Sequence, residues 1–209
     1  MKDLIKILEI LRDYYQGYTM LGSFTDKTPF QILIATALSA RSKDSVTMVV
    51  VKKLFKEYPT AEKLAEAPLA RVEKLVKSTG FYRIKAKRII DISKALLETY
   101  DGKVPKGMDE LVDLPGVGRK TAGCVLVYAF DKPAIPVDTH VQKISNRLGW
   151  VKTKKPEDTE QVLMKIVPRK YWKLVNEVLV LHGQNICKPI SPMCDQCPVR
   201  IYCKRVGLK

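Results

Sequence analysis

The sequence predicts an all-α protein, and three observations carry that prediction. Apolar residues recur at helical spacing in one segment after another, polar–apolar alternation is almost absent, and Gly or Pro punctuates the chain at intervals suited to ordinary helices. Residues 1–15 put Leu4, Ile7, Leu8 and Leu11 on one face, and residues 17–27 read as a loop. The apolar segment from Phe30 to Ala40 forms a second helix, and Ser42 or Asp44 in the following RSKD is placed to cap a third, which ends before Tyr58-Pro59. Val49–Val51 favours a strand locally, but flanking lysine pairs at helical spacing outweigh it. Short helices fit 60–66 and 70–78, the latter closed by Gly80. Residues 83–99 carry Ala86, Ile89, Ile90, Leu96 and Leu97 on one stripe, with Arg83, Lys85, Lys87 and Arg88 near by, so a buried side and a basic end are expected. Helices over 107–113, 119–130, 140–148, 157–166 and 171–183 complete the set. Breaks at Pro133–Pro136 and at the cysteine-rich tail place a boundary near residue 133.

With 209 residues and 46% apolar content, the chain can bury a core. No uninterrupted apolar stretch approaches the roughly 20 residues that span a bilayer, and charges interrupt the N-terminal apolar region, unlike a secretory signal. The expectation is a soluble intracellular protein, cytoplasmic or nucleoid-associated, with no membrane partner. Lysine and arginine number 37 against 22 acidic residues, a net charge of +15 that points to a polyanion, most commonly nucleic acid.

The stretch LVDLPGVGRKTAGCVLVYAF, from Leu111 to Phe130, sets cations at the mouth of a segment apolar enough to be buried. Pro115 disfavours helix at Leu114, Gly116 and Gly118 permit positive φ and close backbone approach, and helix resumes at Arg119. The result is a helical hairpin whose turn leads into a helix N-terminus, a site suited to phosphate. A dinucleotide fingerprint would need glycine at Thr121 and a preceding strand, and a P-loop would need glycine at Arg119. Partial desolvation, the helix dipole and neighbouring Arg119 all lower the pKa expected for the Lys120 amine, and a neutral amine is a nucleophile. A plainer role for Lys120 is to hold a phosphate, as Arg119 can in either case.

Chemistry at a sugar carbon needs a carboxylate to manage developing positive charge, and PVDTH supplies Asp138. Asp138 is also a natural N-cap for the helix that follows, although Thr139 with Gln142 offers a capping box of its own. At the C-terminal end, Cys187, Cys194, Cys197 and Cys203 lie within 17 residues in the pattern C-x6-C-x2-C-x5-C. Without an export signal this favours one metal centre over disulfides. Structural zinc usually uses two close cysteine couples, whereas one C-x2-C occurs here, so zinc is the second choice. The fifth cysteine, Cys124, reads as a small core residue.

LPGVGRKTA followed by PVDTHV, together with the cysteine pattern, resembles the endonuclease III family of helix-hairpin-helix DNA glycosylases over nearly the whole chain. The resemblance implies two helical lobes with a DNA-binding cleft. A six-helix lobe over 23–133 would carry the hairpin, and 1–22 with 134–209 would hold a [4Fe-4S] cluster on the four cysteines. It implies a monomer acting on double-stranded DNA that contains damaged bases or abasic sites. Oxidised pyrimidines would be removed with Lys120 as nucleophile and Asp138 assisting, followed by β-elimination at the resulting Schiff base. DNA contacts are implied for Ser39, Arg41, Phe81, Gly116, Gly118, Arg119, His140 and Lys188, and the cluster loop would show Arg200, Lys204 and Arg205 to phosphates as well. Arg41 and Phe81 depart from the family pattern, which has Gln and Leu there. An aromatic wedge still suits a kinked duplex, because it replaces lost base stacking. The alternatives are a mismatch-specific glycosylase, of the adenine or the uracil/thymine kind, and a non-enzymatic DNA-binding iron-sulfur protein. The related adenine mismatch enzymes have another residue at Lys120 and an additional C-terminal domain.

Overall fold

The structure is a computed structural model and describes residues 2–17, 19–24 and 26–208. Met1, Tyr18, Thr25 and Lys209 lie outside the described residues, Tyr18 and Thr25 falling in the loop expected over 17–27. Among the described residues every regular element is helical. In chain order these are α1 (Lys2–Tyr15), α2 (Pro29–Ser39), α3 (Asp44–Glu57), α4 (Ala61–Ala65), α5 (Leu69–Val76), α6 (Tyr82–Tyr100), α7 (Met108–Val112), α8 (Arg119–Phe130), α9 (Thr139–Leu148), α10 (Pro156–Ile166) and α11 (Trp172–Asn185). Short 3-10 turns span Arg169–Tyr171, Cys194–Gln196 and Arg200–Tyr202. No helix of the described chain is long and apolar enough to cross a membrane.

Two compact units divide the chain. One comprises Met1–Thr19 and Pro133–Lys209, the other Met20–Lys132. In the first, α11 packs on α1 and α9, and α10 packs on α9. The stripe Leu4, Ile7, Leu8 and Leu11 is buried with Val141, Ile144, Leu148, Val175, Val178 and Leu179, and Cys187, Cys197 and Cys203 pack against this core. Each buried aliphatic side chain contributes on the order of 2 kcal/mol relative to exposure, so α1 belongs to this unit through its sequence periodicity. In the second unit, α8 packs on α2 and α7, α6 on α2, α4 and α5, and α3 on α2 and α5.

Local sequence explains several helix ends. Thr28 and Gln31 form a reciprocal capping box at the start of α2 with Pro29 in the first turn. Thr60 caps α4. The start of α3 differs from expectation, because its N-cap is Lys43 with no side-chain hydrogen bond. Asp44 already lies inside the helix, and the Ser42 hydroxyl accepts a hydrogen bond from Lys85 Nζ at 2.7 Å instead. Lys85 is a second correction, since it is buried at 4% exposure and does not join the basic end of α6. Its stem runs inward with Ala86, Ile89 and Ile90, and its amine meets the C-terminal end of α2.

Candidate active site and cysteine cavity

The hairpin is α7, a turn over residues 113–118, and α8. Val117 N–H donates to Leu114 O at 3.0 Å, which closes the turn, and Gly116 takes a φ of +69° that a side chain would strain. Gly118 does not need that freedom: its φ is −97°, extended backbone open to any residue. Its value is space, since a Cβ there would meet nothing within 4 Å. Gly118 is the N-cap of α8 and brings no capping side chain, and Gly116, Gly118 and Arg119 are exposed. The positive end of α8 therefore opens at the protein surface. Behind it Ala122 to Val127 are all buried, including Cys124 at 1% exposure, so α8 is a submerged helix with Lys120 half-buried at its tip.

Asp138 begins α9 in the other unit. Its Oδ1 accepts from His140 N–H at 2.9 Å and from Val141 N–H at 2.8 Å, which makes Asp138 the cap and leaves Thr139 inside the helix. The segment leading to it is pinned by buried Asn176 on α11, whose Nδ2 donates to Pro136 O at 2.7 Å. The His140 ring lies against Gly183 of α11, where a Cβ would come within 2.6 Å of the ring Cγ. Gly183→Ala is accordingly expected to push α9 off α11 and cost about 1–3 kcal/mol, as overpacking does. Thermal unfolding checks this, and a melting temperature equal to wild type would refute it.

Cys187, Cys194, Cys197 and Cys203 line one cavity with Ile144, Leu148, Ile186, Val199, His182 and Arg147. The thiols stand around this cavity, and among the described residues no three ligand-type side chains are gathered as a site for a single ion. Several N–H groups point at the sulfurs. Arg147 Nη1 donates to Cys187 Sγ at 3.2 Å, and Arg205 N–H donates to Cys203 Sγ at 3.4 Å. His182, 2% exposed, shares a hydrogen bond with the Tyr15 hydroxyl through Nδ1 at 2.8 Å and faces Cys197 Sγ with Nε2 at 3.5 Å. Burial pulls His182 down to about 4 and pushes the Tyr15 phenol up, so a neutral ring stands between the phenol and the sulfur. Burial pushes the Cys187 and Cys197 thiols up, and Arg147 pulls Cys187 the other way. Lys188, Arg200, Lys204 and Arg205 are exposed on this loop, Arg200 bonded to Asp195.

Residues 34–169 match the HhH-GPD superfamily of base excision DNA repair proteins. Endonuclease III of Thermotoga maritima is 46% identical over 198 residues, covering 95% of this chain and 92% of that protein. The chain belongs to the endonuclease III family. Endonuclease III of Bacillus subtilis is 44% identical over 177 residues, covering 84% of this chain and 81% of its own length. A solved trapped endonuclease III–DNA covalent intermediate aligns with a TM-score of 0.90 at 36% identity, covering 98% of this chain and 95% of that one.

The two residues that the sequence reading sets apart from the endonuclease III pattern lie side by side. Arg41 and Phe81 both take left-handed backbone conformations, with φ of 53° and 58°, and the Arg41 guanidinium sits 5.5 Å from the centre of the Phe81 ring. Phe81 is 59% exposed, as is Ile84 one turn on. Ser39, in contrast, turns its hydroxyl back to Thr36 O at 2.9 Å. Thus the structure joins Gly116, Gly118, Arg119 and Lys120 on the hairpin, Arg41 with Phe81, Asp138 with His140, and the four cysteines with Lys188. Sequence reading missed Asn176, His182 and Arg147. Their signal was a polar side chain alone within an apolar helical face, which also fits a solvent-facing residue.

Proposed function

We propose that this endonuclease III family member opens damaged DNA with Lys120 as nucleophile and Asp138 as the assisting carboxylate. By family the protein is a base-excision-repair DNA glycosylase with abasic-site lyase activity. The observation that carries the assignment is Lys120 itself, half-buried at the tip of submerged α8, where the hairpin leaves the surface open to a phosphate backbone. The substrate is duplex DNA carrying an oxidised or saturated pyrimidine. Such a base stacks poorly, and turning it out exposes C1′ at reduced cost.

Lys120 Nζ then bonds to C1′ as the C1′–N bond to the base breaks. The base leaves with the bonding electron pair and takes up a proton. Nζ gives one proton to the ring oxygen O4′ as the C1′–O4′ bond breaks and the sugar opens to a protonated Schiff base, whose positive charge acidifies C2′, and removal of a C2′ proton expels the 3′ phosphate. Asp138 has one oxygen, Oδ1, committed to the helix cap, and its second oxygen accepts no hydrogen bond from the described protein residues. That oxygen is available to stabilise the cationic sugar or to take a proton. Arg119 and the hairpin backbone hold phosphate, and Phe81 and Arg41 contact the stack that the flipped base vacates.

The four thiols fit a [4Fe-4S] cluster: they ring one largely apolar cavity, and the N–H groups of Arg147, Arg205 and His182 offset the negative charge that ligation leaves on sulfur. When bound, the cluster would act as a cross-link that holds the Lys188–Arg205 loop for DNA. Borohydride reduction of the working protein on a thymine glycol duplex tests the assignment. One covalent protein–DNA adduct mapping to Lys120 is expected, and an adduct at any other residue, or none, would overturn it.

A further inference from the structure

We propose that Lys85 is a positioning residue, a buried cation that fastens the Arg41 turn to the Phe81 turn so that the two present one stacking surface to DNA. The inference rests on the reading of Phe81 and Arg41 as DNA contacts. Arg41 adopts its left-handed conformation directly after α2, and the Ser42 N–H consequently bonds to Ser39 O at 3.0 Å. Leu38 O, which a continuing helix would pair with that N–H, is left without it. Lys85 Nζ fills the gap, donating to Leu38 O at 2.8 Å and to Ser42 Oγ at 2.7 Å. Its own backbone N–H donates to Phe81 O at 3.1 Å. Lys85 is thus bound by its side chain to one turn and by its main chain to the other.

The two turns also touch directly. A Cβ at Gly80 would lie 3.2 Å from Arg41 O, tighter than an ordinary contact, so glycine eases this close approach of the two backbones. Left-handed φ at an arginine and a phenylalanine is unfavourable and persists only where the surroundings impose it. Lys85 supplies that constraint at a cost to itself. It is buried, both of its acceptors are neutral, and Arg88 repels it, so desolvation draws its amine down to about 8. An apolar side chain of the same volume would avoid that penalty only by leaving Leu38 O without a donor, so the cation stands where the Arg41 turn needs one. The beneficiaries are on the surface: Phe81 and Ile84, each 59% exposed, and Arg41 against the Phe81 ring.

The test is Lys85→Met, assayed on a thymine glycol duplex and on a single-stranded abasic oligonucleotide, alone and combined with Phe81→Ala. The expected result is a loss of about tenfold in kcat/KM on the duplex, mostly in KM, with the single-strand reaction within about twofold of wild type. In the Phe81→Ala background the further loss is expected to vanish, because the two residues act through one surface. Equal losses on both substrates, or the full loss repeated without Phe81, would overturn the proposal and leave Lys85 a folding residue. Where Lys85→Met does not fold, Ser42→Ala removes one of the two acceptors and is expected to give the same duplex-only pattern at smaller size. If Phe81→Ala itself costs nothing on the duplex, the DNA contact at Phe81 is wrong and this inference falls with it. If Phe81→Ala costs activity and neither Lys85→Met nor Ser42→Ala does, the inference alone fails.

Discussion

Lys120→Gln is expected to lower single-turnover strand cleavage by about 10³-fold or more and to abolish borohydride trapping, while duplex affinity stays within about threefold. Glutamine keeps a polar, unbranched side chain one atom shorter than lysine and is a comparable helix former, so α8 keeps its place. What it lacks is an amine with a lone pair that can bond to C1′ and carry the sugar as an iminium. No neighbour on the hairpin replaces it, because Arg119 is a guanidinium that stays protonated and is a poor nucleophile. Affinity persists because the cation at Arg119, the positive end of α8 and the open space at Gly118 remain. Gel resolution of product strands, with binding measured in parallel on an uncleavable abasic analogue, separates the two effects. Cleavage near the wild-type rate would remove Lys120 from the chemistry.

Much of this site was legible along the chain because its signals are local. Pro115 and the glycines stop one helix and Arg119 begins the next, and α8 runs from Arg119 to Phe130 as the apolar run predicts. Asp138 caps α9 through N–H groups two and three residues away, a pattern a sequence displays directly. The four cysteines announce a shared centre by spacing. Misreadings arose where a partner lies far along the chain. Ser42 looked like a cap, yet its hydroxyl serves Lys85, 43 residues on. Lys85 looked like part of a basic helix end because charge dominates a sequence pattern, while the acceptor that draws it inward belongs to α2. Gly118 looked like a residue needed for its backbone freedom, but its φ is ordinary and only the space around it is unusual. Local rules specify helices and caps, whereas the reason for a buried polar group lies in tertiary neighbours that periodicity does not encode.

The same distinction predicts a large effect at Arg147, a residue of α9 with no sequence motif to mark it. Only 7% exposed, it donates through Nη1 to Lys188 O at 2.8 Å and to Cys187 O and Sγ at 3.2 Å each, and through Nη2 to Pro189 O at 3.0 Å. Its own carbonyl receives the Val206 N–H at 3.1 Å, so the beginning and the end of the cysteine loop are both tied to one residue. Arg147→Met fills the space but strands three carbonyl acceptors and the Cys187 sulfur in a partly buried setting. Each buried group left unsatisfied costs about 1–3 kcal/mol, so a total of about 3–5 kcal/mol is expected after partial rehydration. For a domain of this size that lowers the melting temperature by on the order of 10 °C. Arg147→Lys keeps the charge but replaces a planar fork with a point donor, and should recover less than half of the loss. Differential scanning calorimetry of the purified holoprotein gives the first number. With the proposed cluster bound, the rate at which iron is lost to a chelator gives the second, and it should rise in the same order, Lys and then Met. If Arg147→Met melts with wild type and releases iron from the proposed cluster no faster, the loop is organised by its cysteines alone, and the guanidinium fork is incidental to it.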